Sequence, residues 1–480
     1  MNREGCDVTP DVAKIRQPSG PNGSVSRRVG PGRLERWSSA RAPLWLVGLI
    51  VVSGFAGLIE YGAVMRDPGA HGSLGAIAVA IAMVPDTLQR IDDSIGTYHP
   101  SLPGGYDPIP GGLWRNPAQP LVDDGALLVT VFDIARRRYV VKLVRLSDGK
   151  VLRDYAPDIT AIHAHSAFHS DIVDLARDKG NGRYMPMHPL LMADGGLILH
   201  DESPLVRVDA CGRREWMIDG IFHHAIETAP DGTLWANYRA PVSHEPGVGP
   251  AFIDESLVQL TPAGHVLART SVIALLDRNG LGYLWRSRPY LDDPLHVNDI
   301  QPVPGDGPYW RRGDVFVSLR NLSLVLLYRP STGRVLWSQA MPWRFQHDVS
   351  VIDDHRISVF DNHLKFAWDQ PEHVANDRTN HLVVYDFATH ATSEPLARAF
   401  ETLAIKTRAQ GRATPLPGGD TMIEETEWGR VMRVAPDGTV RWRYISADDH
   451  NRRYELRWSR YVDPVSDQAG IHAAETARCA

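Results

Sequence analysis

From about residue 105 the chain repeats one pattern of apolar and polar positions: a short apolar strand, a tight turn, then a second strand. The copies read LVRLSDGKVLRDY (143–155), LVRVDACGRREWM (205–217), LVQLTPAGHVLART (257–270), LLYRPSTGRVLWSQ (326–339), LVVYDFATHATSEP (382–395) and VMRVAPDGTVRWRY (431–444). Five turns place Gly where a positive φ is needed and the fifth in order, Thr-His, does not, so each copy predicts a β-hairpin. The turn positions Gly149, Gly212, Gly264, Gly333, His390 and Gly438 lie 63, 52, 69, 57 and 48 residues apart. That period leaves room for two more strands per unit, which predicts an all-β fold of six four-stranded propeller blades over 105–460. A solenoid of the same units would leave strand edges exposed, and a closed ring removes them. A loose tail is expected over 461–480 unless Cys479 staples it to Cys211.

A second pattern precedes the repeat. Ala42 to Ile59, APLWLVGLIVVSGFAGLI, carries no charge, and apolar residues continue to Met65. A spanning helix needs about 20 apolar residues, so the run predicts a single transmembrane anchor over 42–65. Arg27, Arg28, Arg33, Arg36 and Arg41 precede it and no basic residue follows until Arg66. The positive-inside rule then keeps the N-terminus cytoplasmic and exports the rest, which for a bacterium means an inner-membrane protein with its propeller in the periplasm. The run is long for a signal peptide and the leader before it too extended. Residues 1–41, rich in Pro, Gly and Ser, are expected to be a disordered cytoplasmic tail. Residues 66–104 are expected to be a membrane-proximal linker with short helices.

Composition narrows the classes. The 480 residues are 43% hydrophobic with a net charge of -6, enough for a large core and without the basic footprint of a nucleic-acid partner. Of the three cysteines, Cys6 would be cytoplasmic, while Cys211 and Cys479 would share an oxidising compartment and whether they pair is open. No metal-binding cysteine spacing occurs, and neither metal nor cofactor is expected. Oligomeric state cannot be read from the sequence.

The first strand of a propeller blade lines the central channel, so one position repeated between blades points to the common axis. His224, His296 and His347 are assigned to that position, and His188 is a fourth candidate. Histidines sealing the channel through water would give the same pattern.

Three stretches in order, LHVNDI (295–300), VSLRNLSLVLLY (317–328) and FQHDVSVIDDHRISVFDN (345–362), resemble the arylsulfate sulfotransferases that work without a nucleotide sulfate donor. The likeness extends more loosely over 105–460. It implies a six-bladed propeller, agreeing with the repeat count, and a ping-pong transfer of a sulfuryl group from an aryl sulfate donor to a phenolic or other hydroxyl acceptor. Carried over, it implies that His347 is the transiently sulfurylated nucleophile. His296 and Arg320 would bind the sulfuryl group and bridging oxygen, with Asn298 beside them, and His224 would be the fourth residue, with His223 its rival. The soluble members' N-terminal β-sandwich does not fit in 66–104, and no cysteine pair lies near His347.

The chemistry is consistent on its own terms. A sulfate monoester is anionic, and a neutral imidazole attacks it without charge repulsion. Arg320 can hold two sulfuryl oxygens at once, and a second histidine can pass a proton to the departing phenolate. Asp299 and Asp348 either orient the rings of nearby histidines or point away from them into loops. Trp310 and Trp343, among the aromatics near these motifs, are candidates to stack on an aryl substrate. A non-catalytic, membrane-anchored propeller serving as a binding or scaffold module in envelope or polysaccharide assembly is the alternative. A quinone-dependent dehydrogenase propeller is disfavoured, since it requires eight blades.

Overall fold

A computed structural model describes residues 44–66, 110–119 and 125–479, apart from 171, 173–174, 176–179, 242, 244, 250–251, 289, 367–373, 376–378 and 449–450. The chain divides into two units, residues 1–96 and 97–480. In the first, Leu44–Arg66 forms one helix over the apolar run, and Trp45, Leu49, Ile50, Val51, Val52 and Phe55 on it are exposed. Side chains beyond Gly57 on that helix lie outside the described residues, and among the described residues no helix is long and apolar enough to cross a membrane. The tail expected over 1–41 and the linker over 67–104 also fall outside them.

The second unit is a six-bladed β-propeller. Each predicted hairpin forms the outer two strands of one four-stranded blade, and all six turn residues have positive φ, His390 at 57° among them. Blade 1 takes three strands from Ala126–Asp133, Arg138–Arg145 and Val151–Tyr155, and its innermost strand, Arg460–Val462, from the far end of the chain. Blades 2 to 6 start from inner strands Met187–Leu191, Ile221–Thr228, Val297–Pro302, His347–Val351 and Arg412–Pro415. Gly112–Arg115 adds a fifth strand to the outer edge of blade 6.

Pairing the last strand with the first blade closes the ring and removes its free edges. The stretch read as a loose tail is therefore part of the fold. It holds the closing strand and a helix, Gln468–Thr476, and ends at a Cys211–Cys479 disulfide on the outer hairpin of blade 2. Middle strands are buried on both faces, as at Leu127, Leu128 and Val129, because every blade is packed between two neighbours.

Buried polar side chains join the inner strands around the axis. Asn237 of blade 3 donates to the Val297 carbonyl of blade 4 at 3.4 Å, and Asn298 of blade 4 to the Gln346 carbonyl at 2.7 Å. The Asp299 carboxylate accepts from Val349 N–H of blade 5 at 2.6 Å, and Asp348 from Ala413 N–H of blade 6 at 2.8 Å. Glu424 of blade 6 accepts from the N–H groups of Trp458 and Ser459 next to the blade 1 inner strand at 2.9 and 2.6 Å. These bonds satisfy backbone groups that the channel would otherwise leave buried and bare. They also decide the role of Asp299 and Asp348, whose carboxylates join blades and neither orient histidines nor point into loops.

Candidate active site

The inner strands do not place the three histidines at one repeated position. Register breaks fall between His223 and Ile226 in blade 3, at Asn298 in blade 4 and at Asp348 in blade 5. His224 sits inside its bulge, His347 one residue before its own, and His296 just ahead of its strand. Bulges re-aim side chains, and the different phases bring the rings together. His224 lies 5.1 Å from His296 and 6.2 Å from His347, centroid to centroid. Both His224 and His296 adopt left-handed backbone, φ 57° and 51°, a conformation that costs energy outside glycine and concentrates at functional sites.

Arg320 opens a single 3₁₀ turn at the end of the second strand of blade 4. Its backbone N–H donates to the His296 carbonyl at 3.0 Å, which ties guanidinium and imidazole to one corner. The guanidinium donates to Asn321 Oδ1 at 2.8 Å and stands 5.1 Å from the Phe345 ring. His224, His296, Arg320 and His347 line one axial cavity of about 320 Å³, with His200, His223, Arg239, Gln410 and Arg457 also on its walls.

Each of the three converging imidazoles is held by a partner. His347, fully buried, donates from Nδ1 to Asn362 Oδ1 at 2.7 Å, and its Nε2 accepts the Gln410 N–H at 3.1 Å. His296 Nδ1 meets Asp293 Oδ2 at 2.5 Å. His224 Nδ1 pairs with His223 Nδ1 at 2.8 Å, and His223 Nε2 with Glu255 Oε2 at 2.8 Å, giving a chain from cavity to buried carboxyl. His223, the rival, therefore lines the cavity too, but His224 is the ring that faces His296 and His347.

Burial, then the Arg320 charge, holds His347 well below the ordinary imidazole range, so the ring is neutral. Burial lowers His224 strongly, with the neighbouring His223 adding to it. His296 is lowered by burial although the Asp293 carboxylate works against that. Burial pushes Glu255 well up.

Other candidates lie elsewhere. His188 does not line the cavity; its Nε2 faces Arg412 and sits 3.3 Å from Glu227, with the ring edge-on to Trp458. Asn298 is a buried blade-to-blade donor. Trp310 and Trp343 are corrected to packing residues, because both are buried in the apolar cluster with Phe316 and Val349, away from the cavity.

Several site residues were missed in the sequence. Asn362 lay inside the quoted FDN motif and Asp293 three residues before His296, so both had a local signal. Glu255 had none, since it comes from the third strand of blade 3. Trp458 had none either; its ring stands 6.0 Å from His224 and 6.2 Å from His347, and only ring closure delivers it there.

The profile of the family described as Arylsulfotransferase (ASST) matches residues 200–447, from His200 in blade 2 to the end of blade 6. No curated protein matches the chain. Similar solved structures include a Bacteroides caccae protein of unknown function, at 11% identity, 71% coverage of this chain, 99% of that one and a TM-score of 0.45. TolB from Acinetobacter baumannii is another, at 14% identity, 72% and 69% coverage and a TM-score of 0.42. Neither likeness bears on activity. Because the family profile spans more than half of its length, the chain belongs to the arylsulfotransferase family.

Proposed function

We propose that this protein moves a sulfuryl group from an aryl sulfate to a phenolic hydroxyl in two steps, through a sulfuryl group carried on His347. The observation that carries the reading is the convergence of His224, His296, Arg320 and His347 on one cavity from three separate blades.

Asn362 Nδ2 donates to the carbonyls of Thr407 and Gln410, so its oxygen is the atom facing His347. His347 then holds its proton on Nδ1 and keeps a lone pair on Nε2. In the first step Nε2 gives up the hydrogen bond from the Gln410 N–H and attacks sulfur, and the sulfur–oxygen bond to the aryl group breaks. The sulfurylated ring is an imidazolium with its Nδ1–H on Asn362. The guanidinium of Arg320 and the Gln410 N–H are placed to hold sulfuryl oxygens.

The leaving phenolate needs one proton, and the chain Glu255–His223–His224 is suited to supply it. With the proton on Glu255, the carboxyl donates to His223, His223 to His224, and His224 presents Nε2–H to the cavity. Passing that proton to the phenolate reverses the hydrogen bonds and leaves Glu255 ionised beside Arg239, 3.5 Å away. In the second step the acceptor phenol returns its proton to the relay, its oxygen attacks sulfur, and the nitrogen–sulfur bond breaks. His296, held by Asp293, is placed to orient the bridging oxygen.

We further propose that Leu44–Arg66 anchors the propeller to a bacterial inner membrane, with the N-terminus cytoplasmic and the propeller periplasmic. Its exposed apolar side chains suit lipid, and the Cys211–Cys479 disulfide suits an oxidising compartment. Phosphatase fusions after residue 66 that are inactive in the periplasmic reporter assay would contradict this orientation.

The transfer reading is tested by mixing the protein with 4-nitrophenyl sulfate without an acceptor. A stoichiometric burst of nitrophenolate that His347→Asn abolishes supports it. Absence of any burst from the native protein favours a propeller that only binds or scaffolds.

A further inference from the structure

The reacting groups His224, His296, Arg320 and His347 come from blades 3 to 5 and Gln410 from the segment entering blade 6, while Met187, His200 and Arg457 come from blades 2 and 1. In a six-blade ring blade 2 stands across the axis from blade 5. A substrate held by its sulfuryl group at His347 thus directs the remainder of the molecule toward that wall.

His200 ends the second strand of blade 2, opposite Met187 in the register. It is completely buried, yet among the described residues neither ring nitrogen has a hydrogen-bond partner. The carbonyls of Phe222 and His224 are near enough to influence the ring, but neither meets hydrogen-bond geometry. A bare buried imidazole is destabilising, and this one faces an open cavity. The mechanism above makes no use of it.

Burial lowers His200 to about 4, so at neutral pH it offers one N–H donor and one lone pair. A hydroxyl, which both accepts and donates, is its complement. On the same wall Asp201 accepts the Met185 N–H at 2.7 Å, Glu202 meets Arg239 at 3.4 Å and Arg457 meets Glu455 at 3.0 Å, so its charges are already engaged and a neutral substituent suits it. We propose that the phenolic substrate of this protein carries a second hydroxyl group, and that His200 binds it and so sets specificity. The inference rests on the transfer reading, because that reading fixes which end of the substrate lies at His347.

A site built to hydrogen-bond a substrate hydroxyl discriminates strongly against the analogue without it. The test is binding, followed by tryptophan fluorescence, on full-length His347→Asn protein titrated with phenol, catechol, resorcinol, hydroquinone and 4-hydroxybenzoate. At least one of the three diols is expected to bind about 10²-fold more tightly than phenol or more. Adding His200→Phe should bring that ratio close to one, and His200→Gln, which keeps a donor and an acceptor, should recover part of it. Equal affinity for phenol and every diol, a preference for 4-hydroxybenzoate, or a diol preference unchanged in the Phe variant would overturn the proposal. The titration does not depend on turnover, so a missing nitrophenolate burst counts against the transfer reading while the binding ratio decides on His200.

Discussion

The side-chain oxygen of Asn362 accepts the Nδ1–H of His347 at 2.7 Å while its amide nitrogen is fixed by two backbone carbonyls. That double anchoring sets the tautomer of the ring and turns Nε2 to the cavity wall, where it meets the Gln410 N–H. Asn362→Leu removes the acceptor without adding charge. The nitrophenolate burst rate is expected to fall about 10²-fold, with the unfolding midpoint lowered far less than by loss of a core residue. A burst at the native rate would show that the ring is aimed by something else.

The pH profile of the burst follows from the cause of the His347 shift. The nucleophile must be neutral, and burial with the Arg320 charge depresses its proton affinity. Acidification therefore protonates it only well below the usual imidazole range near 6.5. The burst rate should stay level as pH falls from 7 through that range, then decline. Arg320→Met removes the second cause, so its acid limb should move to higher pH, whatever the loss in rate. A limb that stays in place would mean that Arg320 does not face His347.

His390 occupies a turn where each of the five equivalent residues is glycine, and it holds φ at 57°. A left-handed conformation is costly for a residue with a Cβ. His390→Gly should stabilise the protein by about 0.5–1 kcal/mol in urea unfolding, partly offset by loss of the 3.3 Å contact with the Tyr385 hydroxyl. Destabilisation would indicate that this contact outweighs the backbone term.

How far the sequence could be read follows from how local each signal is. The six hairpins and their turns are short-range patterns, so blade number was visible in the spacing of Gly149 through Gly438. His347, His296 and Arg320 stand in contiguous motifs and were found for that reason. Their shared blade position was misjudged, because a bulge at Asn298 or Asp348 leaves no mark in an apolar alternation. Glu255 and Trp458 reach the histidines only through the third strand of blade 3 and the closure of the ring. Trp310 and Trp343 stay open between packing and substrate contact in the sequence, because proximity to a motif says nothing about which face of a blade a side chain takes. The closing strand Arg460–Val462 is three residues long, too short for any periodicity to announce it.

The disulfide joins residues 268 apart and ties the closing end of the chain to blade 2. Cross-links of this kind typically contribute about 2–4 kcal/mol by restricting the unfolded chain. Reductant should lower the denaturation midpoint of the native protein correspondingly and leave a Cys211→Ser variant unchanged. Equal sensitivity of the two proteins would mean that the bond does not form.

The proposed transfer stands or falls on a covalent intermediate at His347 Nε2. The direct measurement is peptide mass spectrometry, at alkaline pH, of protein quenched after mixing with an aryl sulfate in the absence of acceptor. One added sulfuryl group is expected on the peptide containing His347, lost when phenol is added before the quench and absent from His347→Asn. Turnover with no such adduct, or an adduct on His224 or His296 instead, would contradict it.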